Sequence, residues 1–306
     1  MAIRRQLAQA IDLFRRGEEL RSVQVPLFSG LSREEADALR DAWAEAPLSA
    51  RALLVTRAAE LAEDNVDLEF TLLARVATHD SEAAVRRQAA EALWESDDLA
   101  VAADLTRLLQ GDPDDSVRAA AAGALRRFVL LRELERIPET AGDALVAALR
   151  AAAEDESESV DVRGRAIESL GARALPWVNT LIADAHYDDD PRLRVAALRA
   201  MGESADERWL DLLADEAESD DAELRFAATV SLGLIGSEQS LPALFGLLED
   251  DDQQVALAAV AALAEVGTQD AEERLREIVE AGEEPLAEAA AAALDLLNEV
   301  DGEDEA

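Results

Sequence analysis

The chain contains no cysteine, which excludes disulfide staples, thiolate metal sites and cysteine nucleophiles together. Lysine is also missing, so all 29 basic residues are arginine. Histidine, the usual general base and metal ligand, occurs only as His79 and His186. There is no glycine-rich phosphate loop, no G-x-S-x-G and no zinc-ligand spacing. Proline and glycine are scarce, at 8 and 14 of 306 residues, which favours a helix-rich chain. No apolar run is long enough to span a bilayer, and the opening MAIRRQLAQAIDLFRRGEEL mixes arginines with Asp12, Glu18 and Glu19, unlike a signal peptide. The expectation is a folded, cytoplasmic protein that holds no metal or cofactor and does not enter a membrane.

What is abundant is negative charge. Acids number 67, for a net charge of −38. Arginine pairs with carboxylates in a fork and is more weakly hydrated than lysine, so it suits such a surface. Two origins of the composition stay open: a salt-rich cytoplasm, whose short Debye length relieves self-repulsion, or a GC-rich genome. The charge is uneven. Residues 1–60 carry nine arginines and nine acids, whereas residues 201–306 carry four arginines and thirty acids. Nucleic acid is therefore a poor partner, because phosphate binding needs cations that the C-terminal third nearly lacks. The arginines from Arg118 to Arg136 form the sole basic patch.

Residues 188–202 read DDDPRLRVAALRAMG and residues 219–233 read SDDAELRFAATVSLG, one phrase written twice. Its hydrophobic marker recurs at Val85, Val117, Val162, Leu193, Leu224, Val255 and Leu286, in steps of 31 or 32 residues apart from one of 45. Such a period predicts stacked units, each burying its apolar face only against its neighbours. Leu224, Ala227, Ala228, Ser231 and Leu232 fall on one helical face, with Gly233 read as the stop signal. Upstream segments such as LPALFGLLED (241–250) share the helical period, so each unit is expected to be two antiparallel helices joined by an acidic turn. The alanines Ala89, Ala120, Ala166, Ala197, Ala228, Ala259 and Ala290 are placed in or beside the seam, where small side chains allow close approach.

The long step holds RRFVLLRELERIPET (126–140), an insertion expected to protrude from the stack. Upstream, Ser32 and Glu35 have capping-box spacing at the head of a degenerate first pair, and Ile3, Leu7, Ile11 and Phe14 line a capping helix. The domain reading is thus residues 1–65 as cap and first pair, 66–298 as repeats, and 299–306 as a frayed acidic tail.

DPDDSVRAAAAGAL (112–125) carries the family resemblance: an Asp, a short gap, a hydrophobic–Arg pair and spaced alanines. The units resemble HEAT repeats of the kind found in prokaryotic proteins and phycobilin lyase subunits. The resemblance implies an all-α solenoid of about eight antiparallel helix pairs. It also implies a ladder of hydrogen bonds between the Asp and Arg positions, met at a spacing of six by Asp80 with Arg86, Asp112 with Arg118 and Asp188 with Arg194. Arg163 and Arg225 have Ser157 and Ser219 at that spacing, and Ala256 and Ala287 replace the last two arginines, so the pattern lapses toward the C-terminus.

The functional expectation is a non-catalytic scaffold or adaptor, monomeric by itself, binding another protein with a basic segment. The alternative is a phycobilin-lyase-like or enzyme-regulatory subunit. Aromatic and arginine side chains are enriched at binding hot spots, which nominates Trp94, Arg127, Arg132, Tyr187, Arg208 and Trp209 as partner contacts. Trp43, Trp94, Trp177, Trp209 and Tyr187 lie near helix ends, where filling the gap between units is the commoner use of such a side chain and partner contact the alternative. Acids at Asp188, Asp189 and Asp190 beside His186, or at Asp250, Asp251 and Asp252, are read as helix caps rather than metal ligands.

Overall fold

The computed structural model describes residues 3–282 and 284–304, with side chains as far as residue 297. Among them there are eighteen α-helices and no strand. None of the described helices is long and apolar enough to cross a membrane. The helices group into two units, Met1–Ser169 and Leu170–Ala306.

The first unit begins with α1 (Arg5–Arg15), a 3₁₀ segment at Ser22–Phe28, α2 (Arg33–Trp43) and α3 (Leu48–Asp64). Helices α4 (Thr71–Ala77) and α5 (Ala83–Glu91), α6 (Leu99–Gly111) and α7 (Asp115–Ala124), and α9 (Glu139–Glu154) and α10 (Val160–Leu170) follow as hairpins, with α8 (Arg126–Glu133) between the last two. Second helices stack as α3 on α5 on α7, and first helices as α2 on α4 and α6 on α9. The N-terminal end is closed by Leu7, Ala10, Ile11 and Phe14 of α1, all buried. Phe14 meets Phe28 edge-on at 6.5 Å and Trp43 at 5.2 Å, so the apolar face of α1 is used up against the first pair. Ile3 lies ahead of the helix and is exposed.

The second unit contains four hairpins: α11 (Pro176–His186) with α12 (Pro191–Glu203), α13 (Leu210–Glu216) with α14 (Ala222–Ile235), α15 (Leu241–Leu247) with α16 (Gln253–Val266), and α17 (Gln269–Ala281) with α18 (Leu286–Asp304). Second helices α12, α14, α16 and α18 pack in succession. Eight pairs thus account for sixteen of the eighteen described helices, leaving α1 as lid and α8 as the insertion. The segment expected to fray from residue 299 is helical to Asp304, since only Gly302 opposes helix there, and residues 305 and 306 lie outside the described residues.

The marker positions Val85, Val117, Val162, Leu193, Leu224 and Val255 are all buried, as the period requires. The turns owe their acidity to capping. Asp98, Asp114, Asp190, Asp206, Asp221 and Asp252 each accept the backbone N–H two residues on, satisfying a donor that the helix leaves open and placing charge at its positive end.

One expectation about small residues is sharpened and one is corrected. The seam alanine of α7 is Ala121, fully buried and four residues beyond Val117, whereas Ala120 is half-buried. Helix α14 does not stop at Gly233 but runs to Ile235 and ends at Gly236, whose φ of 67° is left-handed. Gly233 serves the seam instead: a Cβ there would lie 2.7 Å from that of Ala262 on α16. Gly202 of α12 has the same relation to Ser231 of α14, at 2.8 Å from its Cα. Backbone approach of this kind is what holds the second helices so tightly side by side.

Candidate functional site

Between successive second helices runs a ladder of arginines. Arg86 of α5 donates Nη1 to the backbone oxygen of Asp80 at 2.9 Å and forks onto the Asp112 carboxylate of the next repeat through Nε and Nη2, both at 2.7 Å. Arg118 of α7 reaches the Asp112 oxygen at 2.8 Å and the Glu158 carboxylate at 2.9 and 2.7 Å. Arg225 of α14 reaches the Ser219 oxygen at 2.9 Å and the Asp250 carboxylate at 2.7 and 2.8 Å. The residue six positions upstream therefore supplies a carbonyl, which serine does as well as aspartate. The carboxylate comes from the following repeat.

These pairs are largely buried and bidentate, the geometry in which an ion pair is strong. The Arg118 hydrogen bonds hold the Glu158 carboxyl below its ordinary range, and those of Arg225 do the same for Asp250. At Asp112 burial pushes the carboxyl up, but Arg86 and the Asp114 N–H outweigh it and the net shift is down. Asp80 differs. Its carboxylate is wholly buried and takes the Trp43 indole N–H at 2.7 Å, the Glu82 N–H at 2.8 Å and the Arg51 guanidinium. Asp188 and Arg194 are not joined: Asp188 accepts the Asp190 N–H at 2.9 Å, while Arg194 Nε is buried without an acceptor.

Of the candidate contacts, Tyr187 is 78% exposed and stands edge-on to His186, whose Nε2 lies 2.7 Å from Glu216. Trp94 is 55% exposed at the end of α5. Arg127 of α8 forks onto Asp97 at 2.7 and 3.1 Å, which ties α8 to the turn that follows Trp94. Exposed Leu130 and Leu134 follow Arg127 on the same helical side, so this side of α8 combines a guanidinium and two leucines. Arg132 is not on it. Its stem covers Gly142 and its head binds Glu139 and Asp143 at 3.2 and 3.1 Å, tying α8 to α9. Trp209 is also removed from the set, being buried at 8% exposure beneath the start of α13. Arg208 is exposed and pairs with Asp206 of its own turn at 2.6 Å.

A second surface lies on the free side of the second helices in residues 170–306. Phe226, Val230 and Leu234 of α14 are spaced i, i+4, i+8 and are half-buried, half-buried and 46% exposed. Thirty-one residues on, α16 places Leu257, Ala261 and Glu265 at the same positions, and α18 places Glu288, Ala292 and Leu296 there. The result is a grid of nine positions, seven of them apolar and two held by Glu265 and Glu288, with Glu223 and Asp295 beside it. Aromatic and arginine positions taken singly do not reveal it. Its signal in the sequence is the 31-residue period, read at the positions the core does not use.

No group of three or more His, Asp or Glu side chains is placed to hold a metal among the described residues. Asp190 and Asp252 cap helices.

Residues 178–256 match the family model for HEAT repeats. Over that stretch the chain is similar to HEAT repeats. No curated protein sequence matches it significantly. Among solved structures, a chain of the complex of CpcE and CpcF of phycocyanin lyase from Nostoc sp. PCC7120 superposes with a TM-score of 0.57 at 20% identity, covering 92% of this chain and 96% of that one. A chain of the Kap95:Nup1 complex superposes with a TM-score of 0.50 at 14% identity, covering 96% of this chain but 46% of that one. At these identities the likeness speaks for the fold, an α-solenoid of HEAT type.

Proposed function

We propose that the protein is a non-catalytic scaffold whose second-helix face in residues 170–306 takes up a basic, amphipathic segment of another protein. The observation that carries this reading is the grid of Phe226, Val230, Leu234, Leu257 and Leu296 repeated at the solenoid period, with acids in it and beside it. A partner's apolar side chains cover the grid while its arginines or lysines meet Glu223, Glu265 and Glu288. The thirty acids of residues 201–306 draw such a segment in by long-range attraction. Helices α14 and α16 of this face are held by the Arg225 fork on Asp250 and by the close approach at Gly233, so little conformational entropy is lost on binding. Both fold relatives were solved as complexes with another protein, which supports a protein partner here.

The test is native co-purification at near-physiological salt with identification by mass spectrometry. A partner retained by the wild-type chain and lost from Phe226→Glu/Leu234→Glu, with helicity unchanged, is the expected result. Recovery of no partner defeats the reading. The end-to-end superposition on the lyase chain favours one rival, a lyase-like subunit, and a bilin mixed with the purified protein then changes its absorption spectrum.

A further inference from the structure

One rung of the ladder differs from those of Arg86, Arg118 and Arg225. Arg86, Arg118 and Arg225 each end on a carboxylate of the following repeat, whereas Arg194 makes no ion pair among the described residues and its Nε is buried without an acceptor. The reason lies in the next turn. Asp112, Asp188 and Asp250 each accept the backbone N–H two residues on, at 3.0, 2.9 and 2.8 Å. In the turn between α13 and α14, Ser219 Oγ accepts the Asp221 N–H at 3.3 Å. Ser219 thus stands where the neighbouring turns present a carboxylate.

The rung at Ser157 shows how a serine there is ordinarily compensated, since Glu158, the next residue, reaches Arg118 with both oxygens. After Ser219 the next residue is Asp220, one methylene shorter and exposed, and Arg194 stays without an anion. The Ser219 hydroxyl is therefore the one group so placed, among the described residues, that adding negative charge to it completes a rung.

We propose that Ser219 is a phosphorylation site, and that its phosphate joins the α13–α14 turn to Arg194 of α12. In the transfer, Ser219 Oγ attacks the γ-phosphorus of a nucleoside triphosphate held by a protein kinase. The new Oγ–P bond forms as the bond from that phosphorus to the β,γ-bridging oxygen breaks. The nucleoside diphosphate leaves with the electron pair, and the hydroxyl proton passes to the kinase's base. The product carries nearly two negative charges and three acceptor oxygens, and a guanidinium binds such a group as it binds a carboxylate. The residues beside Ser219 favour access, because Glu218, Asp220 and Asp221 are exposed. They also make the modification conditional on Arg194: a phosphate among Glu218, Asp220, Asp221 and Glu223 is repelled unless a cation receives it.

Two measurements on the full chain decide the matter. Peptide mass spectrometry of the protein isolated from the cells that make it is expected to find phosphate on Ser219, and finding Ser219 unmodified throughout overturns the proposal. In the second, phosphoserine is installed at position 219 during synthesis and thermal melting is compared with the unmodified chain. The modified chain is expected to melt higher by roughly 3–5 °C, the shift of one charge-assisted contact in a chain of this size. The same comparison in an Arg194→Gln background is expected to show no rise. Ser219→Asp, which copies Asp112 and Asp250, is expected to give a smaller rise with the same dependence on Arg194. No rise with phosphoserine, or a rise that survives Arg194→Gln, overturns the proposal.

Discussion

Single carboxylates hold this protein's repeats to one another, and the most heavily committed is Asp80. Removing it leaves the Arg51 guanidinium and the Trp43 indole N–H without their acceptor in a buried place. Breaking one side of a buried pair costs about 3–5 kcal/mol, so Asp80→Ala is expected to lower unfolding free energy in urea by about that much and to alter Trp43 emission. Glu35 is the second case. Burial pushes its carboxyl up, but the Arg4 guanidinium and the N–H groups of Ser32 and Arg4 outweigh it and hold the group at about 2. The folded chain thus binds this proton less readily than the unfolded chain does. Its contribution to stability is complete above the ordinary glutamate range and is lost as pH falls toward 2. With Asp112, Glu158 and Asp250 lowered as well, the urea midpoint is expected to be level from pH 7 to 5 and to drop below about pH 4.5. Glu35→Gln starts lower and declines less steeply.

At the scale of the element, the seam between second helices makes its own prediction. Gly233→Ala places a methyl 2.7 Å from Ala262 Cβ and must part α14 from α16, which is expected to cost about 1–3 kcal/mol. Gly246→Ala in α15 meets nothing within 4 Å and is expected to gain up to about 1 kcal/mol through helix propensity alone. The same substitution with opposite signs, measured by chemical denaturation, separates packing from propensity.

Much of the element-level order was legible in the residues, and what escaped shares a physical cause. The 31-residue step marked the second helices because each must bury Val, Leu or Ala at the same turn. The capping box at Ser32 and Glu35 formed as read, with Ser32 Oγ accepting the Glu35 N–H at 3.3 Å and Glu35 accepting the Ser32 N–H at 2.9 Å. The chemistry of the rungs was not legible, because half of each rung is a backbone carbonyl and carbonyls do not depend on residue type. Ser219 looked like a lapse for Arg225, yet it supports that arginine fully and fails Arg194 instead. Gly233 read as a stop because glycine's two uses, left-handed turn and close approach, leave the same letter. Trp209 stayed divided between packing and contact because burial depends on the curvature of its turn, which the local pattern does not contain.

For the whole molecule the governing quantity is a net charge of −38 without one lysine. Self-repulsion on that scale is relieved by salt, since the Debye length shortens from about 10 Å at 0.1 M to about 3 Å at 1 M. Thermal melting is expected to rise strongly from low to molar KCl, and a flat response would instead assign the composition to codon usage. Binding of a basic segment is expected to run the other way, weakening with salt as steering is screened. Measuring both in one titration separates the tolerance of the fold from the attraction of its face.

The arginine rungs also make the chain editable. Arg86, Arg118 and Arg225 each grip the turn that comes next, so cutting out residues 219–249 is expected to bring Asp250 to the place Ser219 holds and to hand Arg194 a carboxylate. A protein shortened by that one module is expected to close its own gap, and a lineage could lengthen or trim such a chain a module at a time without redesigning the joint.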